Sequence, residues 1–214
     1  MYSQRQYSRL DHFLSDIQNL LSKDASSAPT LRANPATKIE DKALDASEKK
    51  LSAALMRVNH AGEVAAQGLY LGQALSAKSS DAKQQMRQAA AEEGDHLHWC
   101  EQRLDELDSR ASHLNPIWYA GSVVIGILAG QSGDHWSYGF IEETEHQVMK
   151  HLEEHLNELP EKDKKSRAIL QQMQHDEGEH AAAAKASGAE DLPTPIKKLM
   201  GLSAKLMTIS ARYI

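Results

Sequence analysis

The sequence predicts an all-α protein built around a four-helix bundle. Residue usage is the first reason: Phe, Trp and Tyr make up 5% of the 214 residues, while Ala, Leu, Gln, Glu and Lys are abundant, a balance that favours helix over strand. The second is periodicity, since apolar residues recur at spacings of three and four between recognisable caps and no stretch alternates as a strand does. The third is a repeated pairing of acid and imidazole. Glu93-Gly94-Asp95-His96 is echoed by Glu177-Gly178-Glu179-His180, and a Glu on an otherwise apolar helical face precedes each, Glu63 by 30 residues and Glu145 by 32. That spacing is a helix, a turn and part of the next helix, so four helices would bring their acids to one level.

Taken in order, residues 2–23 read as a short amphipathic helix with Ser8 as a cap and a stripe of Leu10, Phe13, Leu14, Ile17, Leu20 and Leu21. Asp24 to Asp45 has no period and reads as a linker or extended arm, which makes residues 1–45 an extension outside the bundle. A long helix is predicted from Ser47, its cap, to about Ala77, and a second from a Ser80 or Asp81 cap to about Asp108. Asn115-Pro116 is a start signal, an N-cap followed by proline at the first helical position, and Ile117 to Gly130 after it has no charged residue. Further helices are predicted over about Asp134–Glu158, from near Glu161 to a Gly188 cap, and over about Pro195–Tyr213. The domain proper is therefore 46–214: helix pair, apolar crossover, helix pair and a final amphipathic helix.

Charge and cysteine content exclude several function classes. A net charge of −6 argues against a nucleic-acid binder. The single Cys100 rules out an intrachain disulfide and any multi-cysteine zinc or iron–sulfur site. The N-terminus has no apolar run of the signal-peptide kind, and no segment has the length of an ordinary transmembrane helix, so a soluble or peripheral cytoplasmic protein is expected.

With 11 His in so Glu-rich a chain, roughly one Glu-x-x-His is expected by chance, and three occur. Helix faces separate them. Glu93 shares its face with Met86, Ala89, Ala90, Leu97, Cys100 and Leu104, and Glu177 with Leu170, Met173, Ala181 and Ala184. The face of Glu143 and His146 instead holds Trp136, Gln147, Lys150 and Glu154, a solvent face, whereas Glu145 lies among Tyr138, Ile141, Val148, Met149, Leu152 and Leu156. Glu63 lies with Met56, Ala66, Tyr70 and Ala74. Glu63, Glu93, Glu145 and Glu177 thus point inward with His96 and His180, and no Lys or Arg recurs on these faces. Burying one unpaired carboxylate costs several kcal/mol, roughly, so a pair of cations is expected to supply the missing charge. Four carboxylates and two imidazoles without thiolate suit iron or manganese better than structural zinc, in the ligand set of a di-iron carboxylate bundle. Tyr70 and His151 are further candidates for facing the site, although a core tyrosine and a surface histidine are the readings the sequence favours for them.

The segments Met56-Arg57-Val58-Asn59-His60-Ala61-Gly62-Glu63, Glu93-Gly94-Asp95-His96, Asn115-Pro116-Ile117 and Glu177-x-x-His180 together resemble the demethoxyubiquinone hydroxylases, ferritin-like di-iron enzymes of ubiquinone biosynthesis. The resemblance covers about Leu51 to Ile214, and residues 1–45 have no counterpart in the shorter members. It implies iron ligands at Glu63, Glu93, His96, Glu145, Glu177 and His180, with Glu142 competing for the place of Glu145. The acids Glu92 and Asp176, one residue before two of these ligands, resemble the groups that hydrogen-bond a ligating His on the facing helix in di-iron oxygenases, against the plain reading of exposed helical acids. What the resemblance implies is a monooxygenase with two iron ions and molecular oxygen as co-substrate, hydroxylating the free ring position of a polyprenyl demethoxybenzoquinol with no acid–base residue beyond the ligands.

Such a substrate lies in a membrane. The uncharged run Ile117–Gly130 is roughly 21 Å long as a helix, too short to span upright, and reads as a buried crossover or an interfacial insertion. The last helix sets Ile196, Leu199, Met200, Leu206 and Ile209 beside Lys197, Lys198, Lys205 and Arg212, which suits docking on an anionic membrane surface. The expectation is a peripheral protein on the cytoplasmic face of the cell membrane, with a polyprenyl quinol as substrate and other ubiquinone-biosynthesis proteins as candidate partners. The rival classes are a ferritin-like iron-storage or peroxide-scavenging protein and a non-catalytic helical membrane adaptor.

Overall fold

The computed structural model describes residues 32–40 and 42–214, and the helix expected over 2–23 lies outside them. Six helices and no strand occur among the described residues: α1 Ala46–Ser76, α2 Ser80–Glu106, α3 Asn115–Gln131, α4 Asp134–Glu158, α5 Lys164–Ala186 and α6 Thr194–Tyr213. The all-α bundle with its apolar crossover and final helix is as expected.

Several helix starts differ from the sequence reading by one to three residues, and at α1, α2 and α5 a neighbouring side chain does the capping. Asp45, not Ser47, caps α1: its carboxylate accepts from the Ser47 and Glu48 amides, and Glu48 returns a bond to the Asp45 amide, a full capping box. Ser79 rather than Ser80 or Asp81 caps α2 through the Ala82 amide. Asn115 is not a cap. It is the first residue of α3, and its amide instead reaches His60 Nδ1 on α1 at 3.1 Å. Asp163 caps α5, so that helix begins at Lys164 rather than near Glu161. Gly188 ends the helix as expected, at φ +90°, a conformation that glycine adopts without strain.

Contacts across the bundle fix the topology. The pairs Asn59/His155 and Tyr70/Glu145 run in opposite senses along α1 and α4, as do Glu92/His180 and Arg103/Ser166 along α2 and α5. These four helices form an antiparallel bundle. The crossover α3 runs parallel to α1 and close against it. A Cβ at Gly72 would stand 2.2 Å from the Val123 carbonyl, and one at Gly126 would stand 2.2 Å from the Leu69 carbonyl, so both residues must lack a side chain. One face of α3, with Tyr119, Val123 and Ala129, is thereby buried, while Ile117, Val124 and Leu128 on the other are 62%, 57% and 58% exposed. The crossover is half buried, with one face packed on α1 and the other exposed. Helix α6 packs Ala211 against Val58 and Ala61, and Arg57 donates to the carbonyls of Arg110 and Arg212, tying its end to α1.

Two apolar layers fill the bundle. One holds Leu55, Met56, Trp99, Leu104, Leu152, Ile169, Leu170 and Met173, the other Tyr70, Ala74, Met86, Tyr138, Ile141 and Ala184. On each of the four helices the inward-facing acid lies between its contributions to these layers, a turn or two from each. Of the two readings of the segment before α1, linker or extended arm, residues 32–37 fit the second: Ala36 is buried in the first layer, and Asn34 bonds Gln102 of α2, so this part is an arm folded onto the bundle.

Candidate metal centre

Between the two layers the helices deliver four acids and two imidazoles to one small volume. Glu63, Glu93, His96 and Glu177 have ligand atoms all within 4.8 Å of one another, and so do Glu93, Glu145, Glu177 and His180. The two groups share Glu93 and Glu177. Glu63 and His96 belong to one alone, Glu145 and His180 to the other. All four carboxylates and His96 are buried, and the His180 side chain is 10% exposed. The pair Glu143 and His146 stays apart: Glu143 engages Lys197, and His146 faces solvent. Glu142 lies away from the cluster too, paired with Lys185.

Each imidazole has a definite orientation. His96 turns Nδ1 toward Glu93 and Glu177, at 3.2 and 3.3 Å, and Nε2 outward to Asp176 Oδ2 at 2.9 Å. His180 turns Nδ1 toward Glu177 and Glu93, at 3.1 and 3.2 Å, and Nε2 to Glu92 Oε2 at 2.7 Å. Each outer acid comes from the helix facing the histidine it binds. Tyr70 is at once a core tyrosine and a neighbour of the cluster, since its hydroxyl donates to Glu145 Oε1 at 2.5 Å. His151 is half buried rather than on the surface, its ring edge-on to His155 at 3.9 Å, and its Nε2 is buried without a hydrogen-bond partner.

The electrostatics record a shortage of positive charge. Burial pushes the Glu63 carboxyl well above the usual carboxylate range, and the charge of Glu93 adds to this; burial and Glu177 do the same to Glu145. Glu93 moves the other way, because hydrogen bonds from His180 and His96 outweigh its burial. Burial alone would drive protons off both histidines. Instead His180 is pushed up to about 12 by Glu177 and Glu93, and His96 well above the imidazole range by Asp176 and Glu177. No Lys or Arg among the described residues pairs with any of the four carboxylates. Glu93 Oε1 is fully buried, with His180 Nδ1 at 3.2 Å. Two imidazoles cannot balance four buried acids, so the donor set fits a pair of hard cations.

A cavity of about 1030 Å³ leads from this cluster to the surface between α3, α4 and α6. Glu63, Glu93, Glu145 and Glu177 line its inner end, Ala66 and Leu69 its wall, and Leu128 and Leu199 its outer part. Beside it Asn59 accepts from His155 Nδ1 at 2.9 Å, and Asn115 donates to His60. The sequence reading placed none of these four residues at the site, since their partners lie 55 and 96 positions away; for Asn59, His60 and Asn115 the only signal was their place in the quoted motifs, and for His155 there was none.

A model of the family described as "Ubiquinone biosynthesis protein COQ7" matches residues 50–211. The chain belongs to the COQ7 family. A COQ7-family relative from Legionella pneumophila (strain Paris), "3-demethoxyubiquinol 3-hydroxylase", is 54% identical over 212 residues, 98% of this chain and 100% of that protein. Proteins of the same name from Nitrosococcus oceani and Xanthomonas oryzae pv. oryzae are 50% identical over 211 residues and 51% identical over 203, covering 98% and 95% of this chain and 99% and 94% of theirs. The family match begins after the arm, but the Legionella and Nitrosococcus alignments are long enough to take the arm in.

Proposed function

We propose that this COQ7-family protein is a 3-demethoxyubiquinol 3-hydroxylase, an oxygen-dependent enzyme that adds a hydroxyl at the free ring position of a polyprenyl demethoxybenzoquinol. The observation that carries the reading is the pair of carboxylate–histidine groups sharing Glu93 and Glu177 at the inner end of an apolar-mouthed cavity. Glu63 and His96 would hold one iron, Glu145 and His180 the other, with Glu93 and Glu177 common to both. When bound, two irons supply the electrons and Lewis acidity for reducing dioxygen, one oxygen atom entering the ring and the other leaving as water.

The chain's own part is placement. Asp176 and Glu92 each accept from an Nε2–H, which selects the tautomer whose Nδ1 lone pair faces the cluster. Tyr70 fixes the rotamer of Glu145 from the opposite side. The flanking apolar layers keep bulk water from the acids, and the cavity admits a ring from the surface. No helix of the described residues is long and apolar enough to cross a membrane. Contact with the lipid would instead come from α3 and α6, whose Leu128, Leu199, Leu202 and Leu206 are 58–65% exposed, the first two of them lining the cavity, with Lys198 and Lys205 for anionic headgroups. Lys197 and Arg212, counted with that basic set in the sequence, pair with Glu143 and Glu158.

The test is the lipid-quinone mass profile of cells whose only copy is Glu177→Ala. Accumulation of a quinone lacking one methoxyl group is expected, and a normal profile would contradict the assignment. An iron-storage or scavenging protein has no use for the apolar mouth, and an adaptor none for the buried acids.

A further inference from the structure

The two halves of the cluster are near copies, yet among the described residues one histidine has a cation behind its acid and the other does not. Asp176 Oδ2 accepts both from His96 Nε2, at 2.9 Å, and from Arg32 Nη2, at 2.8 Å, while Gln172 donates to its Oδ1 at 2.9 Å. Arg32 Nε lies 3.4 Å from Asp95 Oδ2, Nη2 lies 3.3 Å from His96 Nε2 itself, and the guanidinium sits over the Trp99 ring at 5.1 Å. Behind His180, Glu92 receives a bond from Gln88 at 3.2 Å and is 33% exposed, against 6% for the Asp176 side chain. Among the described residues no Lys or Arg bonds to Glu92.

Arg32 is held where it is by the arm. Two residues on, Asn34 bonds Gln102 of α2 at 2.8 Å and accepts from the Ala36 amide, and Ala36 is buried against the core. The guanidinium therefore arrives in a fixed place from outside the bundle. A planar fork stacked on an aromatic ring is the geometry in which arginine gives orientation as well as charge.

We infer that Arg32 is a positioning residue for one half of the metal centre: it locks the Asp176 carboxylate against His96 and so makes the two metal positions inequivalent. Sharing Asp176 Oδ2 with Arg32 also draws off negative charge that would otherwise reach the His96 ring, whereas the His180 ring receives the full effect of Glu92. The inference rests on the two-metal reading above.

Protein reconstituted with 57Fe tests it by Mössbauer spectroscopy and iron titration. The wild type is expected to show two distinct iron signals. Arg32→Ala is expected to change one of them and to weaken binding of one iron by about 10-fold, the usual order for a group behind a ligating histidine. Arg32→Lys is expected to recover part of the loss, and Glu92→Gln to alter the other signal. Adding Arg32→Ala to Asp176→Asn is expected to change nothing more. Far-UV circular dichroism checks that each variant is folded, which the part-exposed position of Arg32 favours. Two irons bound with signals and affinities untouched by Arg32→Ala, or effects of Arg32→Ala and Asp176→Asn that add independently, would overturn the role of Arg32 alone. Fewer than two irons in the wild type would overturn the two-metal reading with it.

Discussion

Tyr70 and Glu145 show how much a single contact sets in this site. The hydroxyl holds a carboxylate that burial would otherwise leave without a donor, so Tyr70→Phe is expected to weaken iron binding by about 10-fold while leaving thermal unfolding little changed, as titration and melting would show. The polar residues beside the cavity give a pH prediction. Burial holds the His60 imidazole down to about 4, and burial with His151 nearby holds His155 down to about 3. Both take up protons more readily when unfolded, near pH 6.5. Stability from keeping them neutral is thus complete above that pH and is lost as the pH falls from about 6.5 toward 4 for His60 and toward 3 for His155, on the order of 3 kcal/mol for each. Urea midpoints measured across that range should fall, and His155→Gln should flatten the fall. The six inward Glu and His residues were legible in the sequence because each lies on an apolar helical face and four of them form two Glu-x-x-His pairs. Arg32, Asn59 and Asn115 were not, because what each does depends on a partner more than fifty positions away that no local period announces.

Helix identity and order could be read directly, since long amphipathic stretches ended by Gly188 or Pro160 leave little choice. Helix starts were harder. Several Ser and Asp residues cluster before α1, α2 and α5, and only tertiary contacts decide which one caps. Asp163 is an example: it caps α5 and also meets the buried Arg103 of α2 at 2.8 Å. Asp163→Ala removes both at once and is expected to cost about 2–3 kcal/mol in chemical unfolding, for a lost cap and one lost partner of a buried guanidinium that keeps Glu106. The seating of α3 was also hidden. Its uncharged sequence suggested burial or insertion equally, and the decision lies in Gly72 and Gly126, which let the two backbones meet. Gly126→Ala is expected to push α3 off α1 and cost about 1–3 kcal/mol, again read from unfolding curves.

At the level of the whole molecule, the bundle places a buried, acid-rich centre between apolar layers and opens it toward a face where α3 and α6 expose leucines. Replacing Leu202 and Leu206 with Glu is expected to reduce binding to anionic vesicles by about 10-fold per site without changing iron content, as vesicle sedimentation would measure. The proposed chemistry lies deeper than membrane contact: the paired groups around Glu93 and Glu177 would direct one oxygen atom from dioxygen to a quinol ring. The direct measurement is the mass of the product formed by the reduced, iron-loaded protein from a demethoxyubiquinol in vesicles under 18O2. One 18O atom in each newly hydroxylated quinol is the expected result. Product carrying oxygen from water instead, or no hydroxylated product from protein with both irons bound, would contradict it.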